Sequence, residues 1–279
     1  MLIVDAQVHF WATPPSPGWR NTPHLQQPSY TPADLLPEMD KAGVNAALLV
    51  PTNFEPNEGA LEAGRLHASR LGVLPRLPFD DPAAPSMIAA WGRLPQVKGL
   101  RLGFNTTESH VRLRNGELDW IWPAAEQAGL SIGSMLVPGI VPDVELVAQR
   151  FPALRITVAH LGTLRADIGA FDEAAFVQVP DLIKLARYPN VAVTATGLPG
   201  NTKESYPFRG LDKYIRPVFD AFGPERMFWG TDLTRMPCTY RQCVTHFTEE
   251  LPWLKGSDKE LVMGRALCKW LDWSLPATS

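Results

Sequence analysis

Short apolar runs recur eight times along the chain, at Leu2–Val4, Ala46–Val50, Val73–Leu77, Val97–Leu102, Ser131–Leu136, Arg155–Ala159, Val191–Ala195 and Arg226–Trp229. Most are apolar at consecutive rather than alternate positions, which suits strands of a parallel sheet covered on both faces. Between them lie longer stretches with helical spacing of apolar residues: Pro32–Ala42, Glu58–Leu71, Pro82–Leu94, Leu118–Gln127, Val141–Phe151, Val179–Ala186 and Leu211–Phe222, with Asp258–Trp270 after the last strand. The first helix carries its own punctuation, with Thr31 as N-cap, Pro32 at the first helical position and Gly43 just past the end. Pro37 inside it predicts a kink or a shortened helix. Strict alternation over eight units predicts an α/β fold, a closed (β/α)8 TIM barrel formed as one domain over residues 1–279. An open doubly wound sheet would carry a glycine-rich phosphate turn after an early strand, and the sequence has none.

Active sites of such barrels lie at the C-terminal ends of the strands, so the polar residues that end each apolar run are the candidates. They are Asp5, Gln7 and His9 after the first run, Thr52 and Asn53 after the second, and Arg101 in the fourth. His160 follows the sixth, Thr194 and Thr196 lie in the seventh, and Asp232 follows the eighth. Three of these, His9, His160 and Asp232, can bind a metal or move a proton. Gln7 and His9 share one strand face, because side chains repeat every second residue. Asp5 reads as a brace for a loop or a neighbouring histidine. Arg101 requires an acidic partner, either in the core or on a substrate carboxylate held in bidentate fashion. His24, His67, His110 and His246 fall in loop or helix patterns and read as solvated or loop-packing residues.

Composition narrows the partners. With 45% hydrophobic residues, 20% charged and a net charge of −3, the chain has no basic excess to suit nucleic acid or an anionic membrane, which leaves a small-molecule substrate. A homo-oligomer stays open. Cys238, Cys243 and Cys268 show no C-x-x-C spacing and read as free thiols in a reducing compartment. The start of the sequence has no leader pattern and no apolar run approaches a membrane span, so a cytoplasmic protein is expected.

The phrases "VDAQVHFW", "VKGLRL", "ITVAHLG" and "FGPERMFWGTDLTRMP" together resemble the amidohydrolase-2 branch of the amidohydrolase superfamily. The resemblance is strongest to its compact lactonase-like members, of the 2-pyrone-4,6-dicarboxylate hydrolase and sugar lactonase type. It covers nearly the whole chain, the central third in element order alone. It implies a (β/α)8 hydrolase with Asp232 as catalytic base and with His9 and His160 in the strand-one and strand-six positions. The branch opens D-x-H-x-H-F-W, whereas here Gln7 replaces the first histidine, and strand five, "SIGSMLVP", offers no histidine or lysine where metal-dependent relatives place a ligand. A zinc or other divalent ion would be left with His9, His160, Asp232 and the weak amide oxygen of Gln7. Losing a ligand favours metal-free hydrolysis, so no cofactor is favoured, and zinc or another divalent ion stays open.

On this reading a water deprotonated by Asp232 attacks a lactone carbonyl, while His160 or His9 donates to the developing oxyanion. Asp232 needs a raised pKa or tight positioning to serve as base. Arg101, with Arg235 or Arg209, anchors a substrate carboxylate, and Gln7 and Trp11 complete the substrate-binding residues. The expected substrate is a small carboxylated or sugar-acid lactone. The alternative is metal-dependent, non-oxidative decarboxylation of an aromatic acid, because relatives with that activity begin E-x-H and glutamine is nearly isosteric with glutamate. A third reading, a binding protein that has lost activity, is opposed by the intact His9, His160 and Asp232.

Overall fold

The computed structural model describes residues 1–15, 22–52, 55–104, 106–135, 141–164 and 169–275. Within them the strands are β1 (Val4–Val8), β2 (Ala46–Leu49), β3 (Leu71–Val73), β4 (Gly99–Gly103), β5 (Ser131–Met135), β6 (Ile156–Val158), β7 (Val191–Ala195) and β8 (Met227–Trp229). The helices are α1 (Pro32–Ala42), α2 (Asn57–Leu66), α3 (Ala84–Trp91), α4 (Thr107–Arg114), α5 (Ile121–Gln127), α6 (Val141–Arg150), α7 (Val179–Lys184), α8 (Asp212–Phe222), α9 (Tyr240–Thr248), α10 (Gly256–Glu260) and α11 (Ala266–Trp270).

Every ladder is parallel, in the orders β1-β2-β3 and β4-β5-β6-β7-β8. The parallel bridges Val73 to Val97 and Arg76 to Arg101 join β3 to β4. At the other seam the Asp232 amide donates to the Gln7 carbonyl at 2.9 Å. The sheet therefore closes into the expected barrel, and the strand ends meet on one rim. Its interior is filled by Val4, Ala6, Leu48, Leu74 and Phe228, capped from below by Leu267, Leu271 and Trp273 of the C-terminal segment. Gly230 belongs to the closing seam. A Cβ there would lie 2.5 Å from Thr196 Cγ2, 2.7 Å from Ala6 N and 2.9 Å from Asp5 Oδ1, so no larger residue fits where β8 meets β1.

Several boundaries differ from the sequence reading. β1 runs Val4–Val8, not Leu2–Val4, so Asp5 and Gln7 lie inside the strand. Its polar residues are tolerated there because Asp5 is saturated with hydrogen-bond donors, as described below. β3 stops at Val73, since Pro75 lacks an N–H for the ladder. α1 keeps its full length despite Pro37: a capping box between Thr31 and Asp34 secures its start, and Leu35, Met39 and Ala42 are buried along one face. The last helix is interrupted over Leu261–Arg265, where Gly264 packs so close to β1 that a Cβ would meet Leu2 O at 3.0 Å. Among the described residues no helix is long and apolar enough to cross a membrane.

Candidate active site

His9 follows β1 and its ring is fixed from behind. Nδ1 lies 2.6 Å from the Val50 carbonyl, which can only accept, so Nδ1 carries a proton and Nε2 faces the rim. Nε2 is 3.1 Å from Asp232 Oδ1 and 3.3 Å from the Gln7 amide nitrogen. The same amide nitrogen is 3.5 Å from His160 Nε2, so Gln7 stands between two imidazoles. The pairing of β1 with β2 slips between Asp5 and Val8, a bulge of the kind that re-aims a side chain at the end of a strand.

His160 sits just past β6 at φ 58, with Leu161 at φ 49, a left-handed turn that is costly for residues bearing a Cβ. Side chains at the end of β7 hold it. The His160 amide donates to Thr194 Oγ1 at 3.3 Å, and Nδ1 lies 2.8 Å from Thr196 Oγ1 and 3.2 Å from the Thr196 carbonyl. Burial pushes the imidazole down to about 4. Asp232 opposes that shift, while Arg101 and Arg235 add to it, and His160 is neutral near pH 7.

Asp232 also adopts a left-handed conformation, at φ 56, and is 4% exposed. Burial works to raise its carboxyl, but His9, Arg235 and His160 outweigh it and hold the group well below the usual carboxylate range. The carboxylate is therefore ionised throughout the neutral range. The raised pKa that the sequence reading called for is not found. Oδ2 has Arg235 Nε at 3.7 Å. Oδ1 is buried and faces His9 Nε2 at 3.1 Å, close enough to share a proton with that imidazole.

Asp5 is the brace that the sequence suggested, and its partner is the loop after β8. Oδ1 accepts from the Gln7 and Thr231 amides at 3.0 and 2.8 Å, and Oδ2 from the Thr231 and Tyr240 hydroxyls at 2.5 and 2.8 Å. Burial nevertheless raises its carboxyl to about 6.

Arg101 is buried in the middle of β4, and no described residue forms a hydrogen bond or ion pair with its guanidinium. Burial lowers its pKa to about 10, Asp232 opposes the shift, and Arg76 and Arg235 increase it. Three guanidinium groups thus act on one region beside Asp232. Arg76 went unremarked in the sequence, although its signal, an arginine within an apolar run, was the one that singled out Arg101. A cavity of about 20 Å³, lined by Gln7, Arg101, Thr157 and Thr194 among others, lies within the barrel and has room for one water-sized molecule.

Other candidates lie elsewhere. Trp11 is fully buried, packs on Tyr30 and donates its indole N–H to Gln27 at 3.3 Å, so it shapes the first loop and offers no face to a substrate. Arg209 is exposed and paired with Glu250. Asn53 lies outside the described residues. His246, expected at a solvated or loop position, is buried between Phe208 and Phe247, while His24 pairs with Glu38 and His110 with the Phe104 carbonyl.

As a ligand set for zinc, His9, His160 and Asp232 lack a third imidazole, because Gln7 stands where it would be. Among the described residues no three His, Cys, Asp or Glu side chains are grouped to hold an ion, and the Gln7 amide lies between the imidazoles. The donor set is thus one firm ligand short for a divalent ion, and no step below passes through one.

The family model described as Amidohydrolase matches residues 4–262. The chain is 26% identical over 234 residues to an L-fucono-1,5-lactonase of Burkholderia ambifaria, covering 82% of this chain and 79% of that one. A structure of a Burkholderia multivorans amidohydrolase with bound zinc superposes with a TM-score of 0.82 at 18% identity, covering 99% and 100% of the two chains. One described as a 2-pyrone-4,6-dicarboxylic acid hydrolase, from Pseudomonas putida, gives 0.75 at 18% identity, covering 99% of each. Aromatic-acid decarboxylases also share the fold.

Proposed function

The chain belongs to the amidohydrolase family, and from that membership we propose that it opens a small carboxylated lactone by attack of water, with Asp232 as the base. The observation that carries this reading is the buried carboxylate of Asp232, whose Oδ1 faces the His9 imidazole at 3.1 Å. It can accept the proton of a water placed against it.

A carboxylate held so far below its usual range is a weak base. That suits a lactone, whose carbonyl is far more electrophilic than that of an amide. His160, neutral, carries its ring proton on Nδ1, because the Thr196 carbonyl at 3.2 Å can only accept, and so turns an accepting Nε2 to the rim in place of the donor expected from the sequence. The positive charge of Arg101 and Arg235 stabilises the carbonyl oxygen as negative charge builds there. Water adds to the carbonyl carbon, its proton passes to Asp232, the ring C–O bond breaks, and the leaving oxygen takes that proton back. Arg101, with Arg76 and Arg235 nearby, supplies positive charge for a substrate carboxylate. The L-fucono-1,5-lactonase relative supports a lactone as the substrate class.

The test is a panel of sugar-acid lactones, carboxylated lactones and aromatic acids, followed by both proton release and carbon dioxide. One proton per turnover from a lactone, with no carbon dioxide, supports the reading. Carbon dioxide from an aromatic acid, with the lactones untouched, replaces it by decarboxylation.

A further inference from the structure

Cys238 and Cys243 are separated by one turn of chain, and their sulfurs are 3.5 Å apart. The local sequence explains the approach. Thr239 is the N-cap of α9, its side chain accepts from the Gln242 amide, and the Gln242 side chain reaches back to the Thr239 amide. That capping box makes Cys238 the residue before the cap and Cys243 the fourth of the helix, the two positions that pack together at a helix start. Elsewhere this contact joins two apolar side chains; here both are thiols.

From this geometry we infer that Cys238 and Cys243 form an oxidisable dithiol, closed by peroxide to an intramolecular disulfide beside the segment that carries Asp232 and Arg235. Cys238 is partly exposed and meets the oxidant, while Cys243 is buried behind it. The hydrogen bond from Cys243 holds the Cys238 thiol below the ordinary range and Cys243 above it, so the accessible sulfur is the one that ionises first. Its thiolate attacks the peroxide O–O bond, forming a sulfenic acid and releasing water once protons are balanced. Cys243 then attacks that sulfur, a second water leaves, and two thiols and one peroxide have become a disulfide and two waters. Closure draws the sulfurs to about 2.05 Å. It ties the start of α9 to the end of the Asp232 segment, next to Tyr240, which donates to Asp5 at 2.8 Å. Cys268 is the built-in control, since burial raises its thiol to about 11.

The experiment reads the bond itself and does not depend on which substrate the enzyme takes. Reduced protein is treated with a small excess of hydrogen peroxide, alkylated and digested with trypsin, which cleaves after Arg235, Arg241 and Lys255 and so places the two cysteines on peptides 236–241 and 242–255. The expected product is that linked peptide pair, with Cys268 still alkylated and all three thiols recovered after dithiothreitol. Cys238→Ser, at the partly exposed position, abolishes the link and Cys268→Ser keeps it. A Cys238 that stops at sulfinic acid, a bond between two chains, or three thiols that stay unoxidised would each overturn the inference.

Discussion

Arg76 and Arg101 lie side by side where β3 meets β4, joined as a parallel backbone bridge, and the charge of Arg76 helps to lower the pKa of Arg101. Two cations brought together in this way are poorly placed for stability and well placed for an anion. Because no described residue pairs with the Arg101 guanidinium, Arg101→Met removes a buried charge and strands no partner. The expected result is a KM for a carboxylated lactone raised roughly 10- to 100-fold, the loss of one charge-assisted hydrogen-bonding pair. kcat changes little and the melting temperature does not fall. A large loss of thermal stability with KM unchanged would make Arg101 a core residue.

Gln7 faces His9 and His160 from a strand position where a third imidazole would complete a ligand set. Gln7→His is expected to retain about one zinc per chain after exposure and desalting, and the wild type much less, since three imidazoles and a carboxylate make a tetrahedral donor set. Elemental analysis of both proteins checks this. Stoichiometric zinc in the wild type would contradict the ligand geometry described above.

Acid stability follows from three buried groups. His160 and His246 are each pushed from 6.5 down to about 4 by burial, so between those values the unfolded chain binds two protons that the folded chain does not. Asp5, raised from 3.8 to about 6, acts the other way and has the folded chain bind one more. Two less one leaves one proton favouring the unfolded state, so stability falls as pH drops from about 6 to 4, by roughly 1.4 kcal/mol per pH unit. His246→Leu removes one histidine from a site lined by Phe208 and Phe247, where Nε2 has no partner among the described residues. Calorimetry at pH 7 and pH 5 should show a flatter profile in that variant. An unchanged slope would remove His246 from the account.

What the sequence made legible was the barrel and the rim, because buried parallel strands are apolar runs and their last polar residues stand out. Strand ends were less legible: Asp5 and Gln7 look like loop residues until the donors that satisfy Asp5 are seen across 226 residues of chain, on Thr231. α9 was missed although its capping box, Thr239 to Gln242, is written in the sequence, because the polar residues within it obscure its apolar spacing. Trp11 illustrates the reverse error, an aromatic beside the motif whose indole N–H is already committed to the first loop. The depressed carboxyl of Asp232 depends on neighbours brought from β1, β6 and the following turn, and no local pattern announces it.

Turnover of the best lactone by Asp232→Asn, measured on protein shown by circular dichroism and melting temperature to be folded, tests the central claim most directly. The amide keeps the shape but cannot take the water's proton, so kcat is expected to fall by roughly 10³-fold or more with KM changed much less. A variant that turns over at near the wild-type rate would show that Asp232 is not the base.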